Sequence, residues 1–119
     1  MSNPKRGEIW QVQLSISDMV GHEQKNDRPC IVLASDDNLT ISTVIPLTGD
    51  PYAIRLPHTH KVVASVHTGL STDSIALIHQ IRSFDHKRFL RKLGSVGNKD
   101  MKTILALIAN YLDISLEKT

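Results

Sequence analysis

Alternating apolar and polar positions predict short strands along the first half of the chain. Residues 7–14 alternate, with Trp10, Val12 and Leu14 on one side and Gln11 and Gln13 on the other, which is typical of a strand with one buried face. Residues 29–34 are apolar at every position and predict a central strand that is covered on both faces. A β-branched segment, 40–48, follows a polar turn at 36–38, so these two segments are expected to form a hairpin.

The second half combines strand and helix patterns. Residues 62–65 predict a short strand, and residues 74–84 predict a long one from their alternation. Residues 86–93 predict a short helix. Asn98 is a suitable cap for a last helix, in which apolar residues recur every three or four positions over 101–112.

Short strands followed by helices near the end of the chain predict a small α+β domain that is mainly β. The strands are expected to form a strongly curved β-barrel with α additions, and residues 1–119 are expected to form one domain. The stretch 15–27 is polar, has no sustained period and is long for a loop in so small a domain. Function is therefore expected to lie on loops that the barrel positions.

Composition excludes few functional classes. The chain has 14 Lys and Arg against 12 Asp and Glu, and this net charge of +2 does not by itself indicate nucleic-acid binding. The basic run 85–92 is interpreted as a solvated helix face, with a phosphate-binding track as the alternative. The single cysteine, Cys30, lies in an apolar segment and predicts a small buried hydrophobe in a reducing compartment. The chain has no apolar signal sequence or membrane-length segment, so a cytoplasmic protein without membrane contact is expected.

Metal and cofactor chemistry have weak support in the sequence. His58 and His60 share one face of an extended chain, but a zinc site needs three or four ligands. The chain contains no glycine-rich phosphate loop and no nucleophilic serine motif. We therefore expect neither a bound metal nor a cofactor.

Arg28 and Thr48 are the two residues whose positions suggest chemistry. They lie at the outer ends of the predicted hairpin, and a hairpin brings its outer ends to the same side. An arginine can clamp a phosphate through two charge-assisted hydrogen bonds, and a threonine hydroxyl can donate to the same oxygens. The residues alone leave open the other interpretation, a surface arginine and a strand-end threonine.

At these positions the sequence resembles the MazF/PemK family, the toxins of bacterial toxin–antitoxin pairs. The resemblance runs in order through most of the chain. It is carried by segments with the sequences KRGEIW (5–10), GHEQKNDRP (21–29), IPLT (45–48), GL (69–70), DS (73–74), QIRS (80–83) and RKLG (91–94).

The resemblance implies a homodimer of small SH3-like β-barrels with C-terminal helices. It implies a sequence-specific, metal-independent endoribonuclease that cleaves single-stranded RNA and thereby inhibits translation and growth. Arg28 and Thr48 match the family's catalytic residues, which act while the RNA 2′-hydroxyl attacks the adjacent phosphorus and leaves a 2′,3′-cyclic phosphate. The implied partners are the RNA substrate and a cognate antitoxin with a flexible acidic tail.

Further site residues follow from the same resemblance. His22 or Glu23 is a possible general base, and a histidine is suited to that role because its pKa lies near neutrality. His79 stands where many relatives have an acid, which predicts a change in the accepted base. Bases are expected to be recognised by residues of two loops and one strand, namely Gln24, Lys25, Leu56, Pro57, His58, Thr59, His60 and Gln80.

Two alternatives keep the fold and change the function. The first is a toxin that binds a protein target such as DNA gyrase, as in the related CcdB type. Those toxins end in Trp-Gly-Ile, whereas this chain ends in DISLEKT. The second is a family member that binds its antitoxin but cuts no RNA.

Overall fold

Seven β-strands and one α-helix form the described part of the chain. The computed structural model describes residues 2–14 and 27–115. The elements, in chain order, are β1 (Glu8–Gln13), β2 (Asp27–Asp36), β3 (Ile41–Thr48), β4 (Thr59–Val62), β5 (Ser74–Leu77), β6 (Arg82–Asp85), β7 (Phe89–Ser95) and α1 (Asn98–Tyr111). Short 3₁₀ turns occupy Pro51–Arg55, Ile78–Gln80 and His86–Arg88.

The strands form one antiparallel sheet in the order β4-β5-β3-β2-β1-β7, with β6 also paired to β3. The predicted mainly β class is confirmed, as are β1, the β2–β3 hairpin and its turn. In the described residues the sheet stays open, because β4 and β7 lie at its two ends. The barrel is thus a bent sheet rather than a closed one.

Two apolar cores cover the two faces of this sheet. The helix-side core packs α1 against the sheet through Ile9, Ile31, Leu33, Ile45, Leu47, Val62, Leu70, Ala76, Ile78, Met101 and Ile104. The tryptophan-side core consists of Trp10, Val12, Cys30, Val32, Val44, Phe84 and Phe89. Neighbouring residues of β2 alternate between the cores, which explains why this strand is apolar at successive positions.

The prediction of one long strand over 74–84 is wrong. Both β5 and β6 pair with β3, but β5 pairs with Leu47 and Thr48 whereas β6 pairs with residues 41–44. The 3₁₀ turn Ile78–Gln80 lies between them, and the amide of Ile78 donates to the carbonyl of His58 at 3.1 Å. Apolar and polar residues continue to alternate through the turn, so the sequence pattern does not show that the strand ends there.

The prediction of a helix over 86–93 is also wrong. Only His86–Arg88 form a 3₁₀ turn, after which β7 pairs with β1. The free edge of β1 needs a partner, and Phe89 packs its ring edge-on against Trp10 at a centroid distance of 6.1 Å. Tertiary pairing therefore overrides a local pattern that is compatible with a helix.

Two smaller predictions also need correction. The short strand predicted at 62–65 lies at Thr59–Val62. The last helix is present, but Gly97 occupies its cap position and Asn98 is its first residue. The described chain contains one α-helix where the prediction had two, and that helix is too short and too polar to cross a membrane.

Glu8 joins β1 to β7 and to the N-terminal segment. Its carboxylate accepts hydrogen bonds from the Trp10 indole and the Lys5 amide, each at 2.9 Å, and pairs with the Lys92 ammonium at 3.1 Å. Burial opposes ionisation of this carboxyl, but these bonds outweigh burial and hold its pKa below the ordinary value of 4.5.

Glu8→Gln is expected to lower the free energy of unfolding by about 1 kcal/mol at pH 7, after discounting for solvent screening. A lowered folded-state pKa contributes stability above the ordinary pKa, and this contribution disappears as pH falls through the folded value. The difference between wild type and variant should therefore shrink below about pH 4.5. Urea titrations at pH 7 and pH 3 measure it, and a difference that does not change with pH would contradict this account.

Candidate active site

Arg28 lies at the start of β2, where the strand emerges from the core. Its side chain alternates in phase with Cys30 and Val32, so it lies on the tryptophan side of the sheet. Pairing with Val12 on β1 fixes the backbone of Arg28, and the residue is exposed. The strand thus presents a guanidinium at the rim of the sheet.

Thr48 ends β3 on the same face. It alternates in phase with Val44, a member of the tryptophan-side core, and it is half-buried. In the hairpin, Cys30 is opposite Pro46. Continuing this register by two residues on each strand aligns Arg28 with Thr48, so both residues lie at the same end and on the same face of the hairpin.

The Thr48 hydroxyl has a defined hydrogen-bond role. Its oxygen accepts from the amide of Asp50 at 3.2 Å, so its hydrogen remains available to donate. Asp50 in turn accepts from the amide of Tyr52 at 3.0 Å and caps the 3₁₀ turn Pro51–Arg55. The segment after β3 therefore orients the hydroxyl.

Two further arginines lie beside the Phe84 ring on this face. The Arg82 guanidinium lies 4.6 Å from the centroid of the Phe84 ring, and the Arg88 guanidinium lies 5.4 Å from the same centroid. Arg88 also donates to the carbonyl of Leu14 at 2.9 Å, which ties the end of the first described segment to the sheet. Together with Arg28, these side chains make the face suited to a polyanion.

Cys30 is close enough to Arg28 and Arg82 to be influenced by their charges, but its thiol is unreactive. Burial raises the pKa of its thiol to about 12, although the charges of Arg28 and Arg82 act in the opposite direction. A thiol with this pKa stays protonated at neutral pH and is a poor nucleophile. The interpretation of Cys30 as a small buried hydrophobe is confirmed.

An open pocket of about 540 Å³ borders Arg28 on the helix side of the sheet. Leu47 and Gly49, the neighbours of Thr48, also line it. Its lining includes polar residues that were not among the predicted site residues: Gln11, Asp27, Ser71, Thr72, Ser74 and Arg91. Only strand register could have identified this group, because it comes from distant parts of the chain.

Two of the predicted RNA-binding residues contact the helix α1. His60 Nε2 donates to the Asp100 carboxylate at 2.8 Å, and His58 Nε2 donates to the Asn110 side-chain oxygen at 3.2 Å, so both histidines contact α1. Leu56 and Pro57 are exposed, and the Thr59 hydroxyl donates to the Leu56 carbonyl at 2.9 Å.

The other predicted site residues fall into two groups. Gln80 is exposed at the end of its 3₁₀ turn, and His79 in the same turn is half-buried. His22, Glu23, Gln24 and Lys25 lie outside the described residues. Among the described residues, no three His, Cys, Asp or Glu side chains form a group that could hold a metal ion.

Comparison with known proteins shows which family the chain belongs to. Residues 5–112 match the model of the PemK-like, MazF-like toxins of type II toxin–antitoxin systems. The chain belongs to the PemK/MazF toxin family. That match covers every strand and the helix, including the segments that carry Arg28 and Thr48.

Individual members of the PemK/MazF family are similar over nearly their whole length. Endoribonuclease MazF9 of Mycobacterium tuberculosis is 31% identical over 118 residues, covering 92% of this chain and 97% of the relative. Endoribonuclease MazF of Staphylococcus saprophyticus is 33% identical over 115 residues, covering 94% and 90%.

A solved structure shows the same fold. It is an endoribonuclease from a mycobacterial species in complex with its cognate antitoxin. The TM-score is 0.71 at 15% identity, covering 96% of this chain and 99% of that one. The crystal structure of MazF from Deinococcus radiodurans also has this fold, with a TM-score of 0.72 at 20% identity, covering 96% of this chain and 100% of that one.

Proposed function

We propose that this toxin is an endoribonuclease that cleaves single-stranded RNA at short sequences without a metal ion. The observation that carries the proposal is the arrangement of Arg28 and Thr48 on one face at one end of the β2–β3 hairpin. The names of the two relatives, at 31% and 33% identity, support the same activity.

The proposed reaction is an internal transesterification. The 2′-hydroxyl attacks the adjacent phosphorus, the bond to the 5′-oxygen breaks, and the products carry a 2′,3′-cyclic phosphate and a 5′-hydroxyl. One proton leaves the 2′-oxygen and one reaches the departing 5′-oxygen. Because the nucleophile belongs to the substrate, the protein's main task is to stabilise charge on the pentacoordinate phosphorus.

Arg28 and Thr48 divide this task. The Arg28 guanidinium is permanently charged and presents paired donors to two phosphate oxygens. The Thr48 hydroxyl, whose oxygen already accepts from the Asp50 amide, donates its hydrogen to a phosphate oxygen. His22 or Glu23 would act as the base that takes the 2′-proton.

Base recognition is proposed for Gln24, Lys25, Gln80 and the 56–60 segment. Gln24 and Lys25 precede β2, and the 56–60 segment and Gln80 are exposed or half-exposed. Edges of unstacked bases are read by such amide, hydroxyl and imidazole groups. Recognition by these groups would make cleavage sequence-specific.

The proposal also includes the assembly and its inhibitor. The toxin would act in the cytoplasm as a homodimer, and a cognate antitoxin would neutralise it. The described surface carries large exposed apolar side chains at Tyr52, Ile54, Tyr111, Leu112 and Ile114, which favour association with another chain. A mycobacterial endoribonuclease with the same fold was solved in complex with its cognate antitoxin, which supports a partner of that kind.

The direct test is incubation of the purified protein with mixed-sequence single-stranded RNA in excess EDTA. The expected result is cutting at one short motif, with 2′,3′-cyclic phosphate and 5′-hydroxyl ends. Intact RNA from a folded protein would refute the proposal. Toxicity that persists without RNA cleavage would redirect the search to a protein target such as gyrase.

A further inference from the structure

Three polar side chains from separate strands meet at the pocket beside Arg28. Gln11 on β1 pairs with Pro29 on β2 and with Arg91 on β7. Residues paired in this way share one face of the sheet, so Gln11 lies between the β2 and β7 sides of the pocket. Asp27, Gln11 and Arg91 all line the pocket.

A hydrogen bond fixes the orientation of the acidic group. Gln11 Nε2 donates to Asp27 Oδ2 at 2.9 Å. The second carboxylate oxygen of Asp27 and the amide oxygen of Gln11 have acceptor capacity left. The pocket therefore presents neighbouring acceptors that are held in place.

Arg91 faces this pair across the width of β1. Adjacent strands lie about 4.8 Å apart, so strands on either side of β1 are separated by about 10 Å. The ion pairs formed among the described residues do not include Arg91, which is exposed. A planar group between Asp27 and Arg91 would thus meet acceptors at one edge and donors at another.

The rest of the pocket is suited to a flat aromatic ring. Its walls include the apolar residues Leu14, Pro29, Leu47, Leu70 and Leu93. Its volume of about 540 Å³ falls in the range of about 300–1,000 Å³ that is common for small-molecule sites. These apolar residues offer surfaces on which a base can stack, and the polar residues of the lining offer hydrogen bonds to its edges.

We propose that this pocket binds a guanine base of the RNA, across the rim of the sheet from the phosphate that Arg28 holds on the tryptophan side. Guanine presents two adjacent donors, N1–H and the N2 amino group, which match the acceptors of Asp27 and Gln11. Its O6 and N7 are the acceptors that arginine contacts most often in specific recognition. The inference rests on the proposed ribonuclease activity and adds a base and its contacts to it.

Guanine fits the separation of the polar groups better than the other bases do. Cytosine offers its donor and acceptors along a single edge, so it would require Asp27 and Arg91 to be adjacent. Adenine lacks the paired donors, and uracil offers one donor between two acceptors. Guanine alone offers paired donors on one edge and paired acceptors reaching onto another.

The test compares cleavage of a randomised single-stranded RNA pool by wild type, Asp27→Asn and Arg91→Ala. Lys102→Ala is the control, since this exposed residue of α1 also removes one charge and lies away from the pocket. Wild type and control should prefer guanine at one position flanking the cut. Asp27→Asn should reduce that preference about tenfold, because one good base contact carries discrimination of that order. An unchanged preference in both pocket variants would overturn the inference.

A binding measurement separates this inference from the proposed activity. Fluorescence anisotropy would use a short 2′-O-methyl RNA, which cannot be cut, with guanine or inosine at the flanking position. Inosine lacks the N2 amino group and should bind wild type about tenfold more weakly, while Asp27→Asn should bind both alike. Guanine-selective binding without cleavage would refute only the activity, and cleavage without guanine preference would refute only the pocket assignment. A folded protein that neither binds nor cuts would refute both.

Discussion

Arg28→Ala is expected to lower kcat/KM for RNA cleavage by about 10²–10³-fold, because removing one preorganised donor to a developing oxyanion costs about that much. Arg28 is exposed and outside both cores, so the variant should keep its melting temperature. Arg28→Lys should recover only part of the activity, since an ammonium lacks the paired donors of a guanidinium.

Thr48 supplies the companion measurement. Thr48→Val removes the hydroxyl and keeps the shape, whereas Thr48→Ser keeps the hydroxyl. Activity should fall in the first variant and largely persist in the second. Arg55→Ala, which removes another exposed arginine, is the control. Equal cleavage by Arg28→Ala and the control would contradict the role given to Arg28.

Gly94→Ala is expected to lower the free energy of unfolding by about 3 kcal/mol or more, near the upper end for overpacking substitutions. A β-carbon at this position in β7 would lie 2.2 Å from the His67 carbonyl oxygen and 2.5 Å from the Thr68 carbonyl. These are backbone atoms, and the Ser95 amide donates to the same His67 carbonyl at 2.9 Å, so neither side moves easily.

Gly49→Ala is the matched control for Gly94→Ala. A β-carbon at Gly49 meets its nearest neighbour, the Thr72 methyl group, at an ordinary 3.5 Å. Thermal and urea denaturation should show a melting temperature lower by about 10 °C or more for the Gly94 variant and little change for the control. Similar stability of the two variants would mean that β7 and the 67–68 segment are not in close contact.

The sequence predicted the centre of the sheet well. Residues 29–34 are apolar at every position because β2 lies between two cores, and that pattern has few other structural explanations. The β2–β3 turn was predictable from its local chemistry, since the Asp36 carboxylate accepts from the amides of Asn38 and Leu39.

The bounds of β5, β6 and β7 could not be predicted from the sequence, and the reason is physical. Alternation over 74–84 does not reveal that β5 and β6 use different parts of β3, and the run 86–93 suits a helix as well as an edge strand. Pairing with β1 decides the second case, and a single sequence does not record that pairing.

Part of the candidate site could be predicted from the sequence and part could not. Arg28 and Thr48 lie on a local hairpin, so the sequence indicated that their ends are close. Gln11, Asp27 and Arg91 come together only through the β1–β2 and β1–β7 registers. A one-residue change in either register would turn Gln11 or Arg91 to the opposite face.

The most direct test of the proposed chemistry is cleavage of an RNA with a single 2′-deoxy substitution. The substitution is placed at the nucleotide just before the cut, in an otherwise unmodified substrate. Because the 2′-hydroxyl is the proposed nucleophile, wild type should bind this substrate and leave it intact, while it cuts the all-ribose RNA in EDTA. Cleavage of the deoxy substrate at the same bond would contradict the account, since the attacking oxygen would then have to come from water or from the protein.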